Sequence, residues 1–143
     1  MQFKSADRCF FCLFVFLIII SGSDKPECVH YMTLADETRR YSSYANGNSK
    51  CDDKLGEGWY RFGNERRMST TYGYSNGYCD TQYRGWLRRG HPSVEDGRVT
   101  RQVCFYYSSS CHFSYYIKVR NCGSFYVYKL KPVESCNARY CTD

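Results

Sequence analysis

The sequence has few of the hydrocarbon side chains that usually fill a protein core. After Ser23 it contains only 4 Leu, 1 Ile, 7 Val and 4 Phe in about 120 residues. This share lies below the ~20% at which a chain usually begins to look disordered, so aliphatic packing alone cannot hold the fold together. Tyrosine offers one compensation. All 15 Tyr follow Ser23, and each can bury a large ring while its hydroxyl stays paired or hydrated.

Sequence patterns for cofactor or metal binding are absent as well. No phosphate-binding loop occurs, and no Cys-x2-Cys pair follows Ser23. The adjacent acids Asp52-Asp53 and Glu95-Asp96 provide fewer oxygens than the 6–8 that Ca²⁺ takes, so we predict turn or capping roles for them. We therefore predict no cofactor and no metal site.

Three histidines, His30, His91 and His112, raise the question of catalysis. The chain has the size and the basic charge of a pancreatic-type ribonuclease, and two His with a Lys could in principle transfer protons during phosphodiester cleavage. The ribonuclease motif around the catalytic Lys is missing, however, and the cysteine spacing differs. We therefore predict that the protein is not an enzyme and has no catalytic residue.

Residues 1–23 have the pattern of a secretory signal peptide. Lys4 and Arg8 precede an apolar run of 12 residues, 9–20, and small residues follow it at 21–23. The run is shorter than the ~20 residues of a transmembrane helix. We predict cleavage and secretion, which leaves one domain over residues 24–143 with a net charge of about +5 instead of +6.

Eight cysteines remain after the predicted cleavage. They are Cys28, Cys51, Cys79, Cys104, Cys111, Cys122, Cys136 and Cys141. An even number of cysteines behind a signal peptide is typical of a disulfide framework formed in an oxidising compartment. Four disulfides at ~2–4 kcal/mol each would compensate for the sparse apolar core.

The second half of the chain has the alternating pattern of β-strands. Residues 98–107, 112–120 and 125–130 predict an antiparallel meander, and 59–62 and 67–72 predict two more strands. Helical periodicity is weak, and the candidates for a short helix are 32–40 and 82–88. We therefore predict a mainly β, disulfide-rich single domain with antiparallel hairpins and at most a small helical content.

An ordered set of cysteines and aromatic segments runs through residues 28–141. Its members include Cys28, Cys51-Asp52, Gly58-Trp59-Tyr60-Arg61-Phe62, Cys79, Trp86-Leu87, Gly90-His91-Pro92, Cys104, Cys111, Cys122-Gly123, Phe125-Tyr126-Val127-Tyr128, Cys136 and Arg139-Tyr140-Cys141. In order and spacing the set resembles the eight-cysteine domain of uromodulin and of the pancreatic secretory granule membrane glycoprotein.

The resemblance implies how the cysteines pair, whereas the residues alone leave 105 possibilities open. The implied disulfides are Cys28–Cys122, Cys51–Cys136, Cys79–Cys141 and Cys104–Cys111.

One property of the similar proteins does not transfer. In them an Asn-linked glycan on this domain acts as a decoy for mannose-binding bacterial adhesins. Here Lys129 and Lys131 occupy the places of the sequon Asn and Thr, and no Asn-x-Ser/Thr occurs anywhere in the chain. We therefore predict no N-glycosylation.

Aromatic and basic residues are the remaining candidates for core and site. We predict that Trp59, Tyr60, Phe62 and Trp86 anchor the core; the alternative for the cluster around Trp59 is a platform that stacks on sugars. On the predicted strands, Lys118 and Arg120 share one face, and so do Lys129 and Lys131. These four form a candidate ligand-binding patch for acidic glycans; the alternative is a solubilising surface.

These observations favour a secreted, non-enzymatic binding module for extracellular glycan, mucin or matrix ligands, with a role in innate defence or recognition. A structural component of extracellular matrix or mucus is the alternative. A basic toxin or antimicrobial protein that acts on anionic membranes is a third hypothesis. We do not expect a nucleic-acid partner for a secreted chain of this modest charge.

Overall fold

The computed structural model describes residues 25–43, 50–72 and 78–143. The predicted signal peptide lies outside these residues and stays a prediction. Within them, no helix is long and apolar enough to cross a membrane.

The described residues form seven β-strands and two single turns of 3-10 helix, which confirms the predicted mainly β class. The strands are β1 (Met32–Leu34), β2 (Gly58–Phe62), β3 (Tyr83–Leu87), β4 (Arg98–Tyr106), β5 (Phe113–Asn121), β6 (Tyr126–Leu130) and β7 (Ala138–Tyr140). The 3-10 turns are Pro26–Cys28 and Glu37–Arg39.

All seven strands of the described chain belong to one sheet, in the order β1-β2-β6-β5-β4-β3-β7. The predicted meander is confirmed, because β4, β5 and β6 are antiparallel neighbours. The two edge strands are parallel to their neighbours, β1 to β2 and β7 to β3. Parallel neighbours need long connections, which explains why local hairpin patterns do not reveal them.

Three local predictions are wrong. The candidate helix 82–88 contains strand β3 instead, because this segment lies between β4 and β7 and bonds to both. In 32–40 the helical part is a single 3-10 turn: the Asp36 side chain accepts the Thr38 backbone N–H, and Arg40 is already extended. In 67–72 only Met68 forms a β-bridge, with Thr142, so no strand results.

The hydrophobic core lies on one face of the sheet, because side chains alternate between the faces along each strand. Tyr60 and Phe62 belong to this core. The prediction that Trp59 and Trp86 also anchor it is wrong, since both alternate to the outer face and stay partly exposed. The Trp86 ring N–H instead donates to the Ser110 carbonyl at 2.8 Å.

A buried ion pair joins three parts of the chain. The Arg39 guanidinium bonds both carboxylate oxygens of Asp52 at 2.7 Å, and both side chains are less than 10% exposed. Asp52 also accepts the Tyr140 backbone N–H at 2.9 Å, while Arg39 donates to the Tyr140 carbonyl at 3.1 Å. The pair therefore fixes the Glu37–Arg39 turn and the segment before β2 to strand β7.

Two further arginines are buried. Arg139 on β7 pairs with Asp36 and donates to the Cys79 carbonyl at 3.3 Å. The Arg84 guanidinium carbon lies 4.6 Å from the centre of the Tyr106 ring. Buried guanidinium groups and aromatic rings thus occupy part of the volume that aliphatic side chains fill in other domains.

Three disulfides are present in the described residues: Cys28–Cys122, Cys79–Cys141 and Cys104–Cys111. They are three of the four pairs that the resemblance implies. Cys51 and Cys136 are free thiols whose sulfur atoms lie within 4.8 Å of each other. The fourth disulfide therefore stays a prediction.

Glu27 attaches the Pro26–Cys28 turn to the outer face of the sheet. Its buried carboxylate accepts hydrogen bonds from Arg98 at 2.9 and 3.0 Å and from Arg120 at 2.5 Å. Burial alone would raise the pKa of Glu27, but the hydrogen bonds from Arg98 and Arg120 outweigh it and lower this pKa to about 2.

Replacing Asp52 with Asn should destabilise the fold by about 3–5 kcal/mol, because Arg39 would keep its buried charge without a counterion. Equilibrium unfolding in urea measures the loss. Asp53→Asn is the matched control, since Asp53 is exposed and should change stability by less than about 0.5 kcal/mol. Equal losses in the two variants would contradict the structural role of the ion pair.

Peptide mapping of the oxidised protein under non-reducing conditions should find Cys51 linked to Cys136, because neighbouring thiols close to disulfides in oxidising compartments. The three disulfides already present serve as internal controls. Alkylation of Cys51 as a free thiol in that sample would refute the pairing.

The stabilisation from Glu27 should depend on pH. Because its pKa is lower in the folded chain, the stabilisation is fully present above pH ~5 and is lost as the pH falls towards about 2. The difference in unfolding free energy between the wild type and Glu27→Gln should shrink across this window. Glu134→Gln removes an exposed carboxylate and serves as the control. A difference that stays constant from pH 6 to pH 2 would exclude this ion-pair effect.

Candidate functional site

The outer face of the sheet carries the predicted ligand residues. Strand pairing places Thr100, Lys118, Lys129 and Trp59 in one row across β4, β5, β6 and β2. Side chains opposite each other in neighbouring strands project from the same face. The structure therefore brings Lys118 and Lys129, which are 11 positions apart in the sequence, side by side.

A groove of 320 Å³ runs along this row. We call it the lysine groove; its charged lining residues are Lys118, Lys129, Lys131 and Glu57. Lys118 Nζ is oriented by a hydrogen bond to the Thr100 hydroxyl at 2.6 Å. Lys131 Nζ lies 4.1 Å from the centre of the Tyr115 ring, a cation–π contact.

A second groove, of 400 Å³, lies where β3 ends beside β4. We call it the arginine groove; Arg88, Arg89 and Arg101 line it together with Gln102. Arg89 and Gly90 both have positive φ, 69° and 70°, and this left-handed turn leads the chain away from β4. Because β3 stops there, the side of β4 stays open and the groove forms.

Hydrogen bonds hold the guanidinium groups of the arginine groove. Arg88 donates to the Gln102 side-chain oxygen at 3.3 Å, and Arg101 Nε donates to the Gly90 carbonyl at 3.1 Å. These contacts use only part of the five donors that each guanidinium presents. The remaining N–H groups are available to an anion.

His91 fixes the loop that carries Arg88 and Arg89. Its ring packs on Tyr126 with centroids 4.3 Å apart, and a hydrogen bond of 2.8 Å joins its Nε2 to the Tyr128 hydroxyl. Burial, and then the nearby charges of Arg67 and Arg101, lower the pKa of His91 to about 4. The imidazole is therefore neutral at physiological pH, and it anchors the loop through this hydrogen bond.

Tyr116 separates the two grooves. Its side chain projects from β5 and is 71% exposed, and together with Thr100 it lines both grooves. An exposed ring between two sets of cations offers an apolar face for stacking, with charge on either side.

The cations of the two grooves share one electrostatic property. Among the described residues, none of them forms a salt bridge with a carboxylate. We refer to them together as the cationic surface, which consists of Arg88, Arg89, Arg101, Lys118, Lys129 and Lys131. Unpaired cations at this density attract counterions or an anionic ligand.

The structure separates the fourth predicted ligand residue from this surface. Arg120 is engaged by the buried carboxylate of Glu27 and so has a structural partner. Sequence reasoning did not single out Arg88, Arg89, Arg101 or Tyr116 as ligand residues. A groove that forms only where β3 ends leaves no local sequence pattern, apart from the turn at Arg89-Gly90.

The remaining candidates have local structural partners. Asp96 accepts the Ser93 backbone N–H at 2.8 Å, which fits its predicted turn role. The Asp52 carboxylate instead forms the ion pair with Arg39, a role that the turn or capping prediction did not include. His112 packs on Tyr83 with centroids 5.6 Å apart, and His30 is exposed. Among the described residues, Cys51, Asp53 and Cys136 bring metal-ligating atoms together, and the same two thiols are the predicted disulfide partners.

Several proteins are similar in sequence to this chain over most of its length. The pancreatic secretory granule membrane major glycoprotein GP2 of the dog (Canis lupus familiaris) is 36% identical over 130 residues, which is 87% of this chain and 25% of GP2. Human GP2 is 37% identical over 119 residues, 80% of this chain and 22% of GP2. Mouse GP2 is 33% identical over 131 residues, which is 86% of this chain and 24% of GP2. The chain thus spans about a quarter of the length of these relatives.

A family match supports the same relationship. The family of uromodulin-like domains, the eight-cysteine type, matches residues 60–142. This range contains β3 to β7, most of β2 and two of the disulfides, Cys79–Cys141 and Cys104–Cys111. The match covers more than half of the chain, and the chain therefore belongs to the family of uromodulin-like eight-cysteine domains.

Proposed function

We propose that this chain is a secreted, non-enzymatic module that binds anionic extracellular glycans, such as acidic mucin or matrix chains, through the lysine groove. One observation carries the proposal: three lysines line a single groove, and no carboxylate among the described residues pairs with them. A family of secretory glycoproteins and a signal-like N-terminus provide the extracellular setting.

The attraction between such a glycan chain and the groove is electrostatic. Lysine ammonium groups donate charge-assisted hydrogen bonds to sulfate or carboxylate groups. A shallow groove on an open sheet suits a linear chain rather than a small molecule enclosed in a cavity. Affinity would then come from several weak contacts, each sensitive to salt.

The histidine environments support a role without catalysis. A general base must reach the proton of a substrate, whereas the Nε2 of His91 is hydrogen-bonded to the hydroxyl of Tyr128, a fully buried residue. His112 lies among the rings of Tyr83, Tyr107 and Phe113. These contacts are those of packing residues.

Replacing two lysines of the groove, in Lys118→Ser/Lys129→Ser, should weaken binding to immobilised heparin, used here as a sulfated probe. We expect a loss of about 10-fold or more at low salt, because each charged contact contributes on the order of 1 kcal/mol. The wild-type affinity should fall steeply as salt rises from 50 to 300 mM, and the slope should be smaller in the variant.

The control variant Lys25→Ser/Lys54→Ser removes the same charge from described residues outside both grooves. It should weaken binding by less than about threefold. Equal losses in the two double variants would indicate attraction by net charge alone, and wild-type binding that does not respond to salt would exclude the electrostatic mechanism.

A further inference from the structure

We infer that the preferred ligand is a linear sulfated glycan long enough to occupy the lysine groove and the arginine groove at once, passing over Tyr116. This inference rests on the proposed function and extends it, because it assigns a second anion site to Arg88, Arg89 and Arg101 and a minimum length to the ligand.

The two grooves adjoin each other, because Thr100 and Tyr116 line both. Arg88 lies opposite Gln102 on β4. Gln102 pairs with Tyr116 on β5, and Lys131 is the first residue after β6. Arg88 and Lys131 are therefore three strand spacings apart, about 14 Å. A ligand that contacts both must be longer than one sugar ring.

The arginine groove and the lysine groove offer different chemistry to the same kind of anion. Guanidinium groups form paired, planar hydrogen bonds with sulfate or carboxylate, whereas lysine ammonium groups act as mobile point charges. Arg88 and Arg101 are held by Gln102 and Gly90, and Lys118 by Thr100, so part of the ordering cost is met before the ligand arrives.

A glycan fits this surface better than an acidic protein does. The centres of protein interfaces are depleted in lysine and rich in apolar contacts. Here the central residue is a single tyrosine, and cations surround it on both sides. A flexible polyanion needs only charge and an occasional ring to stack on, and both are present along the path.

Linked sites give a measurable signature. Once one sulfated sugar occupies the lysine groove, the rest of the chain is held near the arginine groove at a high effective concentration. Affinity should therefore rise with chain length until both grooves are filled, and it should rise by more than the number of equivalent binding positions explains.

The test measures the dissociation constants of heparin-derived fragments of two, four, six and eight sugars by calorimetry. For the wild type we expect a gain of more than 10-fold from disaccharide to octasaccharide. Four equivalent disaccharide units would by themselves give a gain of about fourfold. The variant Arg88→Gln/Arg89→Asn should reduce the gain to that statistical level; Gln can keep a hydrogen bond to Gln102, and Asn tolerates the positive φ of residue 89.

Two further comparisons complete the design. The Lys25→Ser/Lys54→Ser control should keep the full gain in affinity with chain length. That result would exclude net charge as the cause of the gain. Tyr116→Ser should weaken octasaccharide binding several-fold more than Tyr116→Phe, because phenylalanine keeps the stacking ring. Thermal unfolding of each variant checks that the fold is intact.

The outcomes separate the two proposals. If the wild type binds fragments and the lysine variant weakens them, but the arginine variant keeps the full gain with length, the second site is refuted and the proposed function stands. If the wild type binds no fragment at any length, both are refuted. Equally tight binding of polyglutamate of similar length and charge would refute the glycan and indicate an acidic polypeptide.

Discussion

The bidentate pair between Arg39 and Asp52 is the interaction on which the rest of this fold depends. Removing two charges from water is costly, and well-placed hydrogen bonds recover much of that cost. The Arg39 Nε is left buried without a hydrogen-bond partner among the described residues. The Tyr140 backbone adds one bond to each side chain, so these contacts form only if the 3-10 turn, the segment before β2 and strand β7 all meet. The meeting of these three segments is therefore a strict geometric condition for folding, in a chain whose core is poor in leucine and isoleucine.

This arrangement determines which cations have structural partners. Apolar and aromatic core residues fill the inner side of the sheet, and on the outer side Glu27 engages both Arg98 and Arg120. Six of the cations without carboxylate partners among the described residues lie in two adjoining grooves. The fold decides which cations have a structural partner and which remain available, because both kinds occur on the same strands.

The sequence predicted the parts of the fold that depend on local patterns. The meander of β4, β5 and β6 follows from alternation and turn residues, and the family resemblance supplied the cysteine pairs. Prediction from the sequence failed where distant segments determine the local structure. β3 is a strand because β7 lies beside it, and Trp59 and Trp86 alternate to the outer face despite their size. Arg120 looked equivalent to Lys118, and only the distant Glu27 distinguishes them. The arginine groove depends on where β3 stops, which no periodicity reveals.

The parallel pairing of β3 with β7 has a consequence for how the protein is made. While a ribosome extends the chain, the hairpins of the centre can form early, yet the free edge of β3 and the thiol of Cys79 must wait for residues 138–142 to emerge. Oxidation that runs ahead of translation would expose Cys79 to the wrong cysteines. The yield of correctly bridged chain should thus be sensitive to the timing between synthesis and the isomerases that rearrange disulfides.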